Sequence, residues 1–522
     1  MEKKRQIANI ICFVRASEPR DRDLDLVKPV VEQVKLLNHY GLEGTFLYQY
    51  DALLSPELVA PMEQCKVPVE IGVWLEIMEP LCQAAGIPWR GRPGFDWDWH
   101  AHCGFSVGYT LEERKLLCDL IFEKFQSVFG YYPRVVGSWM IDGYTLRYLQ
   151  ERYGVIGSCN CKDQWGTDGY TIWGGYYGQA YYPSIQNGFC PAQTLDQQVP
   201  LPVFRMLGSD PIYQYDLGLE KEDTLESEES QGVVTLEPVY CEGGGGGNHQ
   251  WVDWYLKENF APDTLSFGYT QTGQENSFGW EAMEQGLKYQ FSRMAQMVQQ
   301  GLLEVETLAK SAIWFRNTYS LTPASTITAF EDWRGKGHQT IWYCCRNYRV
   351  NFLLRNGQLY LRDWFLFDQN YPERYRDAPC KTDYLVFDNL AVMDGNRWSG
   401  GTVRAGVYPM WEDTQEIGSS DILSRPEQTE ENEIRFSVRS KAGEYTVTCG
   451  EEQLCFVSSR SGFFLEFRQK PDSPAPRIEG KRLCFSQNGV SYALPLQKGW
   501  AQESDQGLKV FAEKNEICFQ RG

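Results

Sequence analysis

Two hydrophobic periodicities divide the chain. Up to about residue 304, short apolar runs alternate with longer amphipathic ones. Ile7 to Val14 is an apolar run of strand type. Leu24 to Tyr40 carries Leu26, Val30, Val34 and Leu37 at helical spacing, with Gly41 as its stop. Gly44 to Tyr48 and Pro68 to Val73 are the next strands. Thr110 with Glu113 forms a capping box ahead of Leu116, Leu120 and Phe125, and Gly130 to Pro133 ends that helix. Strands follow at Arg134 to Ser138, Gly154 to Ser158, Leu201 to Met206 and Leu265 to Tyr269, with helices over Asp142 to Arg152 and Phe278 to Gln300. This alternation predicts an α/β domain over 1–304 with a mainly parallel sheet, a distorted (β/α)7-type barrel. The five glycines from Gly243 to Gly247 are expected to form a mobile loop.

Beyond residue 305 the period shortens to two. Strand-like runs occur at Thr326 to Phe330, Gln339 to Tyr343, Val350 to Leu354, Gln358 to Phe367 and Tyr384 to Val392. Eight more follow between Glu433 and Gln520, many of them separated by Gly, Asn or Asp turns. An all-β, sandwich-like region is expected over 305–522, with Pro471 to Arg477 as a loop or a boundary between two subdomains.

Composition narrows the function classes. At 522 residues the chain fits two or three domains, and 42% apolar residues exclude global disorder. Acidic residues outnumber basic ones by 69 to 50, a net charge of −19 that repels phosphate backbones, so no nucleic-acid partner is expected. No apolar stretch reaches the ~20 residues that span a bilayer, so no membrane partner is expected. The start, Met1 to Arg5 and then a strand, lacks a signal-peptide cleavage pattern. Of 16 cysteines, Cys12, Cys118 and Cys455 lie in apolar runs and read as buried thiols. A cytoplasmic protein without structural disulfides follows as the expectation; a homo-oligomer is neither required nor excluded. Nucleotide and phosphate-loop signatures are missing, and no cofactor is expected. Aromatics make up 14% of the chain, with 17 Trp, 30 Tyr and 27 Phe. Such rings fill cores and also stack on the C–H faces of sugars, so carbohydrate is the candidate partner.

Candidate chemistry lies at strand ends. In Phe95 to His102, extended backbone would put Asp96, Asp98, His100 and His102 on one face, with Trp97 and Trp99 opposite. That set suits a divalent metal, a rim for sugar hydroxyls, or a polar loop over two core tryptophans. Glu76 follows the third strand beside Trp74 and is a candidate acid or a helix-start carboxylate. Asp142, beside Trp139, is a candidate nucleophile or base, or a helix cap. Asp163, Trp165, Asp168 and Trp173 mix stacking with hydrogen bonding as a sugar pocket would. Asp210 is another strand-end carboxylate or a turn cap. Glu275, next to Gln274, precedes the last barrel helix. Glycosidic cleavage needs two carboxyls flanking one bond; Asp142 and Glu275 form the preferred pair, with Glu76 in reserve. A metal-dependent deacetylase and a non-catalytic sugar-binding protein are the alternatives.

Four short segments resemble the polysaccharide-deacetylase-like group, which adjoins glycoside hydrolases with seven-stranded barrels. They are Gly44-Thr45-Phe46, Glu70-Ile71-Gly72, Thr110-Leu111-Glu112-Glu113 and Gly130-Tyr131-Tyr132-Pro133. The resemblance covers about 30–160 and implies a carbohydrate substrate bound at the C-terminal ends of the strands. It also marks departures. Where that family carries Asp-Asp after strand one, this chain reads Val14-Arg15-Ala16-Ser17-Glu18. Where its H-x-x-x-H motif falls, Trp74 and Met78 stand. The family's metal triad is therefore missing, which shifts the expectation to metal-independent hydrolysis.

Overall fold

A computed structural model describes residues 4–163, 173–213, 234–241, 243–261, 265–386, 388–400, 402–413, 421–504 and 507–521. Strands β1 (Gln6–Val14), β2 (Gly44–Tyr48), β3 (Val69–Trp74), β4 (Val135–Gly137), β5 (Gly157–Cys161), β6 (Ala180–Tyr181), β7 (Val203–Met206), β8 (Gly268–Thr272) and β9 (Glu304–Val305) form one curled sheet. Its order is β6-β7-β5-β4-β3-β2-β1-β8, with β9 beside β1. All neighbours pair in parallel except β6 with β7. The curl brings β8 back towards β7, where the Leu207 N–H donates to Gln271 Oε1 at 2.9 Å. This is the expected distorted barrel.

Alternation along β1 shows how the barrel fills. Ile7, Ile11 and Phe13 join an inner cluster with Leu47, Trp74, Val135, Trp139, Cys159, Phe204 and Tyr269. Ala8, Ile10, Cys12 and Val14 join the outer core instead. Period two thus sorts one strand between two cores. Trp74 sits 4.1 Å from Phe13 and 5.1 Å from Trp139, centroid to centroid. Space for these rings comes from glycine. A Cβ on Gly72 would lie 2.6 Å from the Val135 carbonyl oxygen and 2.8 Å from Leu47 Cδ2.

The barrel continues past residue 305. Helix Leu308–Thr318, which the hydrophobic pattern did not announce, packs Leu308, Ala309, Ala312 and Phe315 onto the inner cluster. Its Leu308 N–H donates to Thr45 Oγ1 at 3.0 Å. That helix ends at Thr318, and the next element, Ser325–Ala329, is a strand. From Ser325 on, two antiparallel sheets face each other. One runs from Ser325–Ala329 through Tyr348–Arg355 and Gln358–Leu366 to Trp500–Ser504; the other runs from Ile422–Leu423 through Gln453–Ser458 and Glu516–Gln520 to Arg477–Ile478. Phe352 against Phe436 at 5.0 Å and Trp364 against Phe519 at 4.9 Å join them into a sandwich.

Two local expectations change. The glycine run is a packed turn: Gly244 to Gly246 are buried, and Gln290 Nε2 donates to the carbonyls of Leu236 and Gly246. A Cβ on Gly246 would lie 2.1 Å from the Leu236 oxygen, so close backbone approach explains that glycine. Cys455 and Cys518 stand opposite one another in paired strands and are joined by a disulfide, against the expectation of free thiols. Among the described residues no helix is long and apolar enough to cross a membrane.

Gly72→Ala is expected to lower stability by about 1–3 kcal/mol, because the added methyl meets backbone oxygen rather than a yielding side chain. Urea unfolding measures this; an unchanged midpoint would show that the barrel interior has slack.

Candidate active site at the mouth of the barrel

The inward positions of four strands, carried beyond their C-terminal ends, meet at one point. Phe13 leads to Arg15, Leu47 to Gln49, Trp74 to Glu76, and Gln271 to Glu275, each by steps of two. Arg15 is 1% exposed, Gln49 0%, Glu76 1% and Glu275 5%. Arg15 Nη2 donates to Glu275 Oε2 at 2.7 Å and to Glu76 Oε2 at 3.2 Å. Two oxygens so placed about one nitrogen are at most about 6 Å apart. Glu76 Oε2 also accepts from Gln49 Nε2 and from the Trp97 indole, both at 3.1 Å. The Trp97 ring covers the guanidinium at 4.0 Å, a cation–π contact that closes the mouth.

Glu275 is positioned from both sides. Its N–H donates to Gln274 Oε1, and Ser277 Oγ donates to its Oε1 at 2.8 Å. Gln274 is held in turn by Glu237, whose Oε1 accepts from Gln274 Nε2 at 2.9 Å. Asn276 clamps the end of β1, accepting from the Arg15 N–H and donating to the Arg15 carbonyl. Burial opposes the Arg15 charge, but Glu275 and Glu76, with Glu18 and Asp51 beyond them, raise its pKa overall. Arg15 Nε and Nη1 and Gln49 Oε1 are buried and make no hydrogen bond among the described residues.

Asp51 adjoins this centre through the Ala16 N–H, which donates to its Oδ2 at 2.9 Å. Burial pushes the Asp51 carboxyl up to about 7, against the pull of the Ala16 and Ala52 N–H groups and of Arg15. Asp51, Gln49 and Arg15 are absent from the candidates read off the sequence. The signal for Arg15 and Gln49 was present, since both continue an inward-facing alternation by one step.

The other candidates disperse. Asp142 caps helix Gly143–Tyr153 and accepts from Thr145 N, Thr145 Oγ1 and Ser106 Oγ. Burial would raise its pKa, but Arg114 at 3.1 Å and these bonds hold it below the usual range. Among the described residues it shares no hydrogen-bond or ion-pair partner with Glu275, whereas Glu76 and Glu275 meet on Arg15. Trp139 packs with Trp74 in the barrel interior, not in an open cleft. Asp163 is fully buried and pairs with Arg349 at 2.5 Å, tying barrel to sandwich. Trp173 is buried too and donates to Asp394 Oδ2 at 3.2 Å. Asp210 accepts from the indoles of Trp251 and Trp333 and caps the turn at Ile212 and Tyr213. Trp165 and Asp168 lie outside the described residues.

The expected single face of Asp96, Asp98, His100 and His102 does not form, because Ala101–Gly104 turns helical. Asp96 pairs with Arg22 at 3.2 Å. Asp98 takes a bidentate Arg92 and lies 3.2 Å from His100 Nδ1. His102 instead donates from Nε2 to the Arg90 carbonyl at 3.0 Å. Trp97 and Trp99 do stay together, 5.6 Å apart, with Trp99 half-buried at the rim.

No protein-family model matches this sequence, and no curated protein does. Among solved structures, a protein from Parabacteroides distasonis, named provisionally as a glycoside hydrolase/deacetylase, aligns with a TM-score of 0.53 at 14% identity. The alignment covers 74% of this chain and 91% of that one. That protein and this chain share a fold. A provisionally named polysaccharide deacetylase from Mycobacterium smegmatis aligns at a TM-score of 0.38 and 13% identity, over 60% of this chain and 92% of that one.

The metal that the resemblance implies does not fit these residues. Arg15 places a fixed cation at the end of β1, where a metal would need carboxylate ligands. Trp74 and Met78 are buried apolar side chains with no imidazole to offer. The His100 and His102 rings stack 5.9 Å apart, but their nitrogens go to different groups, Asp98 for His100 and the Arg90 carbonyl and Asp383 for His102. Among the described residues the metal-sized grouping of His, Cys, Asp and Glu is Cys455, Glu516 and Cys518, whose sulfurs are joined to each other.

The Asp51 carboxyl titrates near 3.9 when unfolded and near 7 when folded. Between about pH 4 and 7 the folded chain keeps a proton that the unfolded chain has lost. Asp51 therefore makes stability fall as pH rises through that window, and the full loss is reached above it. Asp51→Asn is expected to gain stability relative to the wild type between about pH 5 and about pH 8 in denaturation profiles; parallel profiles would place the carboxyl in its ordinary range.

Proposed function

We propose that this chain is a metal-independent glycoside hydrolase whose paired carboxylates are Glu76 and Glu275. The observation that carries the reading is the meeting of both side chains on one guanidinium at the C-terminal ends of the barrel strands. Their spacing of at most about 6 Å suits the close arrangement, in which one carboxylate attacks the anomeric carbon and a glycosyl-enzyme forms. Glu275, oriented by Ser277 and Gln274, is the attacking group in this reading, and Glu76 is its partner across the bond. Arg15 pairs with both carboxylates in the resting centre. The leaving group needs a proton source, and burial pushes the neighbouring Asp51 carboxyl up to about 7. Trp97 covers the centre, so substrate reaches Glu275 once that indole has swung aside. A fold shared with a protein named as a glycoside hydrolase/deacetylase agrees with a hydrolase acting on carbohydrate.

Burial of the centre favours a second reading. In a non-catalytic carbohydrate-binding protein, Arg15, Glu76 and Glu275 would only lock β1, β3 and β8 together.

Turnover of aryl glycosides and neutral oligosaccharides by the purified protein separates these readings. Glu275→Gln and Glu76→Gln are each expected to lower kcat/KM by roughly 100-fold or more, with unfolding midpoints recorded alongside. EDTA is expected to leave the rate unchanged. Activity that EDTA removes and zinc restores would assign a metal-dependent hydrolase instead. No turnover of any glycoside would leave the binding protein.

A further inference from the structure

A cleft of about 400 Å³ opens where the two sandwich sheets meet loops that run back to the barrel. It shares no lining residue with the Arg15 centre. Its floor is apolar and aromatic: Trp364, Phe367, Leu454 and Phe519, all buried. Its rim is polar, with Glu452, Gln453, Ser491 and Arg521. A volume of this size, with apolar side chains beneath and about as many polar ones around them, is of the kind that receives small ligands.

Two lining residues each hold one buried polar atom that makes no hydrogen bond among the described residues. One is a donor, the Trp364 indole N–H; the other is an acceptor, Asn347 Oδ1. Neither side chain is loose. Asn347 Nδ2 donates to the Glu451 carbonyl at 2.8 Å, and the Trp364 ring packs edge-on against Phe519 at 4.9 Å. Buried polar atoms are nearly always paired, with protein, ordered water or a ligand. A hydroxyl donates and accepts at once, so hydroxyls answer both atoms. Asp368 and Glu452 against Arg521 leave the lining without net positive charge, which disfavours phosphate or carboxylate.

We infer that this cleft is a second ligand site, built for a neutral sugar, with the sugar's hydroxyls answering the Trp364 N–H, the Asn347 oxygen and the polar rim. It is separate from the barrel mouth and does not depend on that mouth being catalytic. It would hold a glycan chain on the sandwich whether or not the barrel cleaves it.

Calorimetric titration of the full chain with cellotetraose, xylotetraose and maltotetraose tests this. At least one is expected to bind. Trp364→Phe, which removes the N–H and keeps the packing, is expected to weaken it roughly three- to tenfold. Ser491→Trp, which fills the mouth from an exposed position, is expected to abolish it, whereas Glu275→Gln leaves it unchanged. Three results would overturn the proposal: no heat with any of the three sugars at millimolar concentration, binding that Ser491→Trp leaves intact, or a sugar-soaked crystal with only water in the cleft.

Discussion

A guanidinium buried between two carboxylates sets the terms for the upper half of the barrel. Arg15, Glu76 and Glu275 come from the ends of β1, β3 and β8, and each is almost withdrawn from water. Removing one partner from such a group leaves a buried charge uncompensated, which commonly costs about 3–5 kcal/mol. Everything nearby answers that constraint. Gln49 and the Trp97 indole supply further N–H groups to Glu76, Ser277 supplies an O–H to Glu275, and Asn276 pins the backbone on both sides of Arg15. Arg15 holds the two carboxylates close to one another, each within hydrogen-bond reach of one guanidinium nitrogen.

The aromatic excess has several destinations, and most of them are packing. Trp74 and Trp139 fill the barrel interior, while Trp173, Trp251, Trp342 and Trp364 are buried in or beside the seam with the sandwich. Among the described residues Trp97 alone of the candidate tryptophans covers the charged centre, and Trp99 packs against Trp97. A Trp count is therefore a weak guide to a sugar cleft, because one large ring serves a barrel lumen as well as it serves a ligand.

Barrel and sandwich are joined by polar groups as well as apolar ones. Arg349 of the sandwich reaches Asp163 at the end of β5 and the Gly175 carbonyl, and Arg362 donates to the carbonyls of Pro211 and Ile212. The Trp342 ring stacks on Tyr177 at 3.7 Å, and its indole donates to Pro211. A seam with buried charges, each oriented by partners on the other side, resists sliding, since any shift would strand them.

Strand and helix order were legible in the chain, because period-two and period-3.6 patterns are local and the caps at Thr110, Asp142 and Gly41 are written in single residues. The absence of the deacetylase metal motif was legible for the same reason. The sequence also placed Glu76, Asp142 and Glu275 after strands, yet it could not say which two meet. That choice depends on how far each strand runs into the barrel and which side chain a helix start claims. Asp142 went to a helix N-terminus and Arg114, Asp163 to the domain seam, and His102 to the Arg90 carbonyl and Asp383. Local pattern determined the elements and their inward faces. Only the pairing of strands in the folded sheet decided that Arg15, Glu76 and Glu275 share one point, because β1 lies beside β8 and one strand away from β3, an adjacency that residues 260 positions apart in the chain do not announce by spacing.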